Sequence, residues 1–147
     1  MLFRSIGGAE IQRFEESFAA SAHCPFAVGC NSGTDALILA LRGLGIGAGD
    51  EVITASFSFF ATAEAISAVG ATPVFVDVEE SSYLINLEQL EAAITPATKA
   101  LMPVHLFGRP VDMERLCAIA ARHGLKGLSR AELPSLTQTL KEGWYYA

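Results

Sequence analysis

Asn31-Ser32-Gly33-Thr34-Asp35 is the stretch whose reading decides the fold. Before it runs Phe26-Ala27-Val28-Gly29-Cys30, apolar and long enough for one buried strand. After it runs Ala36-Leu37-Ile38-Leu39-Ala40-Leu41, apolar on nearly every side, which predicts a buried helix. Strand, small polar turn and helix together aim free backbone N–H groups at an anion. Gly33 allows close backbone approach, and the Ser32 and Thr34 hydroxyls can cap the helix or bond a phosphate oxygen. Alone, such a turn reads as no more than a well-capped helix. The segments that follow it favour the anion site.

Composition sets the outer bounds. A chain of 147 residues with 51% hydrophobic content is one domain's worth with ample material for a core. Its formal charge of −6 argues against a broad nucleic-acid surface, while leaving room for a local anion pocket built from amides and dipoles. Cys24, Cys30 and Cys117 show no CxxC spacing, which points to reduced thiols in a cytoplasmic protein. Glu64, Asp77 and Lys99 interrupt the longer apolar runs, so no membrane span is expected, and Met1-Leu2-Phe3-Arg4 is too short for a signal peptide. Zinc is not expected, because His23, Cys24, His105, Cys117 and His123 lack ligand spacing.

Taken in order, Ala9 to Ala22 places Ile11, Phe14 and Phe18 at helical spacing, with Glu10, Glu15 and Glu16 off that stripe, which predicts a helix lying on a surface with its aromatic edge inward. The helix from Thr34 ends near Leu44 and gives way to the turn-rich Gly45-Ile46-Gly47-Ala48-Gly49-Asp50. Glu51–Ala55 predicts a second strand, and Ser56 with Ser58 can cap a helix from Phe59 to about Val69, stopped by Gly70. Thr72–Asp77 predicts a third strand, with Pro73 tolerated at its start. Asn86 caps a helix whose Leu87, Leu90 and Ile94 face inward, and Thr98–Val104 is a fourth strand. A last helix runs from its cap Asp112 to Gly124. This alternation predicts a mostly parallel α/β sheet covered on both faces, with ligands at the carboxyl ends of the strands. The Asn31–Asp35 turn, the Ser56–Phe60 segment and His105 all fall at those ends.

No GxGxxG follows the first strand and no glycine-rich turn ends in Gly-Lys-Ser/Thr, so neither a dinucleotide fold nor an NTP-cradling loop is supported. The chain instead holds Asn31-Ser32-Gly33-Thr34-Asp35-Ala36-Leu37, then Gly45–Ile53 and Ala61-Thr62-Ala63-Glu64-Ala65-Ile66. Gly70–Val78 and Pro103-Val104-His105-Leu106-Phe107-Gly108 follow. In this order and spacing the blocks closely resemble the DegT/DnrJ/StrS-type sugar aminotransferases, over roughly residues 7 to 126. The resemblance implies the aspartate-aminotransferase fold (fold type I), here a partial large domain. It implies pyridoxal 5'-phosphate as cofactor, a nucleotide-linked keto-sugar and an amino-acid donor as substrates, and a homodimer.

Carried over by residue, the resemblance assigns the cofactor phosphate to the amides around Gly33, Thr34 and Asp35, helped by the Thr34 hydroxyl and the helix dipole. Phe59 matches the position whose ring stacks on the pyridine face; without the resemblance it would read as a core aromatic beside Phe57 and Phe60. Thr62 is either a second polar contact near the cofactor or an ordinary helix threonine. His105 either touches substrate or cofactor or is structural.

The chain also departs from the pattern. Transamination needs a lysine for the covalent cofactor link and a carboxylate on the pyridine nitrogen. In the family the carboxylate belongs to a Glu-Asp-x-Ala-Gln block after His-Gly-Leu, and the lysine comes much later. Here His123-Gly124-Leu125-Lys126 is present, but Gly127 to Ala147 matches none of that, and Lys99, Lys126 and Lys141 lie outside the lysine's context. No catalytic residue is therefore assigned. The chain divides into residues 1–126, the N-terminal part of the large domain, and a divergent tail, 127–147, poorly ordered or weakly helical near Ala131 to Glu142. Codon degeneracy lets that tail be re-read one frame over into something like the missing continuation, so a frameshift is one expectation and an unrelated tail the other.

Two function classes follow. One is a truncated aminotransferase that retains a phosphate cradle and does not transaminate alone. The other is a non-catalytic remnant, or an accessory chain that pairs with an intact relative. An NAD-dependent oxidoreductase shares the strand–helix rhythm but lacks the glycine fingerprint.

Overall fold

The computed structural model describes residues 8–125. Helix α1 spans Ala9–Ser21 and α2 spans Gly33–Gly43. Strand β1 (Glu51–Ala55), helix α3 (Ala61–Ala68), strand β2 (Thr72–Val76), helix α4 (Leu87–Ala92), strand β3 (Thr98–Met102) and helix α5 (Met113–Arg122) follow. The expected tail, with Lys126 and Lys141, lies outside the described residues.

The sheet has the order β2-β1-β3, and β1 pairs in parallel with both neighbours. Side chains along a strand alternate between faces. Val52 and Ala100 accordingly pack on one side with Leu41, Ile46, Ala65 and Ile66, from α2, α3 and their connections. Ile53, Ala55 and Leu101 pack on the other with Leu87, Leu90, Leu116 and Ile119, from α4 and α5. The expected parallel sheet with helices on both faces is present. Thr54, fully buried, keeps its hydroxyl satisfied by donating to the Met102 carbonyl at 2.8 Å, which ties β1 to β3.

The α1 stripe expected to face inward is open among the described residues, with Ile11 and Phe14 46% and 54% exposed, and three further expectations need correction. Phe26–Cys30 is not a buried strand: it is unpaired, and Phe26 and Val28 are 80% and 79% exposed. An apolar run becomes a strand only where it lies along an edge it can pair with, and this run pairs with neither outer strand, β2 or β3. The segment is held instead by Glu15, whose carboxylate accepts the Gly29 N–H at 2.7 Å. Second, α2 is half-buried rather than buried, with Leu41 inside and Leu39 exposed, because it packs through one side only. Third, neither Ser56 nor Ser58 caps α3. Phe60 occupies the cap position without a side-chain bond, and the Ser58 hydroxyl pairs with the Thr62 hydroxyl at 3.0 Å. The caps read at Asn86 and Asp112 are present: Asn86 Oδ1 takes the N–H groups of Glu88 and Gln89, and Asp112 Oδ1 takes that of Arg115.

Helix directions fix the site. Helix α2 ends in the connector that enters β1 at its amino end, so its start lies at the opposite, carboxyl edge. Its eleven residues span about 16 Å, close to the length of a five-residue strand at about 3.3 Å per residue. Helix α3 starts at the carboxyl edge too and runs back to Gly70 (φ +86°). That left-handed φ is what glycine supplies there, and the turn it makes lies against the Ala48 backbone at the amino edge.

Candidate functional site

At the carboxyl edge the start of α2 is arranged as its sequence dictates. Ser32 is the N-cap, its Oγ accepting the Asp35 N–H at 3.1 Å while its carbonyl accepts the Ala36 N–H at 3.0 Å. Among the described residues the N–H groups of Gly33 and Thr34 find no acceptor. Two donors thus point outward at the positive end of a helix dipole, the arrangement that attracts an anion. Asp35, expected among the anion contacts, has its N–H committed to Ser32.

The segment after β1 contributes the aromatic part of this edge. Phe59 is 75% exposed and makes no ring contact among the described residues. Its position is not that of a core aromatic beside Phe57 and Phe60, which are themselves exposed. Phe57 rests on Tyr83 with ring centroids 5.8 Å apart. Thr62 is buried and bonded to Ser58, so its hydroxyl serves the turn that carries Phe59. Next to this turn Ser56 Oγ reaches Asp77 Oδ1 at 3.5 Å, and Asp77 Oδ1 also accepts the Val78 N–H at 2.8 Å. The connection after β1 leads to one face of the sheet and that after β3 to the other, which opens a crevice between them.

His105 follows β3 and is 3% exposed. Its Nδ1 accepts the Val111 N–H at 3.0 Å, which places the ring proton of the neutral imidazole on Nε2. The ring thus bridges both limbs of the turn that projects Phe107, a residue not singled out by sequence pattern. Phe107 has φ +54° and ψ +28° and is 83% exposed. Its one sequence signal is an aromatic beside glycine in a post-strand turn.

The described residues also enclose a cavity of about 410 Å³ at the amino edge, lined by Leu44, Ile46, Asp50, Thr95, Lys99 and His123 among others. It sits at the far end of the sheet from Gly33 and Phe59. Lys99, exposed at the second position of β3, belongs to that end, as its place in the sequence suggests.

The sequence model of the DegT/DnrJ/EryC1/StrS aminotransferase family matches residues 3–131. The chain belongs to that family. A UDP-N-acetyl-3-dehydro-alpha-D-glucosamine 3-aminotransferase of Acidithiobacillus ferrooxidans is 54% identical over 119 residues, 81% of this chain and 32% of the relative. GDP-perosamine synthase of Caulobacter vibrioides is 47% identical over 118 residues, 80% of this chain and 32% of the relative. The PLP-form structure of the putative sugar aminotransferase Spr1654 from Streptococcus pneumoniae superimposes with a TM-score of 0.77 at 37% identity, covering 79% of this chain and 30% of that one. The chain therefore spans about a third of the length of the relatives it matches. The match extends past the boundary expected at residue 126. No helix among the described residues is long and apolar enough to cross a membrane, and no group of three His, Cys, Asp or Glu among them is placed to hold a metal ion.

Proposed function

We propose that this chain is the N-terminal part of the large domain of a pyridoxal-phosphate-dependent aminotransferase acting on nucleotide-linked keto-sugars, and that it holds the cofactor without transaminating alone. The observation that carries the reading is the pair of acceptor-less N–H groups at Gly33 and Thr34 on the same edge as the exposed Phe59 ring. These residues fit the group. The two amides and the α2 dipole bind its phosphate, the Thr34 hydroxyl adds a donor, and Phe59 lies against its ring and fixes the plane. When bound, the cofactor supplies an electron sink for charge developing on the amino-bearing carbon. Thr62 and Ser58 hold the Phe59 turn, and His105, buried beneath the neighbouring turn, holds the substrate side of the edge in shape.

Among the described residues this edge holds no lysine for a covalent link. Lys99, the one lysine among the described residues, is at the amino edge, a strand's length away. We keep the division into 1–126 and 127–147 as part of the proposal, together with the homodimer and a cytoplasmic setting, which the three free cysteines support. The test is to incubate the chain with pyridoxal phosphate, reduce with borohydride and map the product. The expected result is reversible binding with no stoichiometric adduct. One labelled lysine together with amino transfer to a keto-sugar nucleotide would overturn the non-catalytic part. Co-purification with a full-length aminotransferase would identify an accessory chain.

A further inference from the structure

We infer that the Leu106–Arg109 turn is a nucleotide-reading element, in which the Phe107 ring stacks on the base and the Arg109 guanidinium binds the diphosphate of the substrate. The inference rests on the sugar-nucleotide reading above and assigns to it residues that the cofactor does not use.

Three observations carry it. The first is strain. Phe107 sits at φ +54°, ψ +28°, a left-handed conformation that bulky side chains avoid, and Gly108 follows at φ +76°. Such backbone persists only where its surroundings over-determine it. Here they do: Gly108 N–H donates to the His105 carbonyl at 3.0 Å, Arg109 N–H to the Leu106 carbonyl at 3.0 Å, and Val111 N–H to the buried His105 ring. A locked turn thus holds a ring that is 83% exposed and gains no packing from the fold.

The second is an available cation. Arg109, two residues on, is exposed and makes no ion pair or side-chain hydrogen bond among the described residues. The other described arginines on this side of the chain, Arg115 and Arg122, are paired with Glu88 and Glu91. A guanidinium matches phosphate oxygens in pairs, so a diphosphate beside a stacked ring is the chemistry this turn can recognise.

The third is placement. Thr54 of β1 pairs with Met102 of β3. Phe59 and Phe107 each lie five residues beyond that pair, at the carboxyl edge, on connections that leave for opposite faces. Both rings therefore belong to the turns that follow neighbouring strands at one edge of the sheet. The names of the relatives above carry a pyrimidine and a purine nucleotide, UDP and GDP. Stacking tolerates both, because every base has a π-face.

The test is isothermal titration of the full 147-residue chain with UDP, GDP and uridine, for wild type, Phe107→Ala, Phe107→Trp, Phe107→Gly and Arg109→Gln. UDP and GDP should bind wild type with affinities within about tenfold of each other, and Phe107→Ala should weaken both at least about fivefold. Phe107→Trp should restore binding, and Arg109→Gln should weaken UDP and GDP while leaving uridine unchanged. Phe107→Gly keeps the experiment decisive: glycine relieves the left-handed strain, so its melting temperature should equal or exceed that of wild type while nucleotide binding is lost. Equal affinities for wild type and Phe107→Ala would overturn the inference. So would a Phe107→Ala effect confined to self-association in sedimentation, which would make the ring a contact between copies. A chain that binds pyridoxal phosphate but neither nucleotide sinks this inference and spares the cofactor reading. Phe107-dependent nucleotide binding without cofactor binding does the reverse.

Discussion

At the amino edge of the sheet the polar groups are closed on one another. Asp50 accepts the Gly47 N–H at 3.0 Å, and the Glu51 carboxylate gathers the Thr95 and Thr98 hydroxyls. Thr98 in turn takes the Thr95 N–H at 2.9 Å. At the carboxyl edge lie, among the described residues, two amides at the start of α2 without acceptors, a projecting Phe59, a left-handed Phe107 and the unpaired Arg109 guanidinium. The same strands run between the two ends, so the difference lies in the turns and helix starts gathered at each end. Groups satisfied within the fold stabilise it, and groups left unsatisfied are available to ligands.

If that contrast is right, substitutions at the two ends should separate into losses of stability and losses of binding. The reference is the core that both ends share. Leu116→Ala, at a fully buried position beside Ile119 and Leu90, should cost about 2–5 kcal/mol and can unfold the chain outright. Denaturant titration measures it. Phe59→Ala should weaken pyridoxal-phosphate binding about tenfold, read by cofactor absorbance, while leaving the denaturation midpoint within error. A matching loss of stability would make Phe59 a packing residue and erase the contrast.

Ser32→Ala sharpens the comparison, because Ser32 belongs to both categories. It removes the cap on Asp35 and should cost about 1 kcal/mol of stability. The freed Asp35 N–H then joins those of Gly33 and Thr34, so phosphate affinity should not fall in proportion.

The smallest effect belongs to Glu91, near the amino edge, where α4 meets the end of α5. The Arg122 guanidinium and then the His123 ring hold its carboxyl below the usual glutamate value of 4.5. A carboxyl lowered by folding contributes stability above its unfolded value and loses it as the pH falls through the folded one. The pair is at the surface, so Glu91→Gln should lower the melting temperature only slightly at neutral pH, and the difference from wild type should vanish below that range.

How legible the molecule was in its sequence follows the same division. Elements whose neighbours are close in the chain were readable: Asn86 and Asp112 cap the helices they precede, and β1, β2 and β3 begin where the expected strands begin, at Glu51, Thr72 and Thr98. Phe26–Cys30 was not, because an apolar run does not say whether a sheet edge is free to receive it. Helix α2 looked buried because apolar composition on all sides does not reveal how many sides find partners. In the proposed site, the sequence marked the start of α2 and the turn after β1, and the structure adds that the Gly33 and Thr34 N–H groups have no acceptor among the described residues and that Phe59 is exposed. Phe107 and Arg109 were not marked, since a left-handed phenylalanine is set by the bonds that His105 and Val111 make across the turn. His105 itself offered two readings, and its burial with Nδ1 engaged explains how it shapes the turn.

The most direct test of the central claim is an amide NMR titration of this chain with pyridoxal phosphate, using unphosphorylated pyridoxal as the control. The expected result is that the Gly33 and Thr34 N–H signals shift with the phosphorylated form and not with pyridoxal, while the Gly47 signal at the amino edge stays fixed. Shifts that leave Gly33 and Thr34 unmoved, or that both compounds produce equally, would contradict a phosphate cradle at the start of α2.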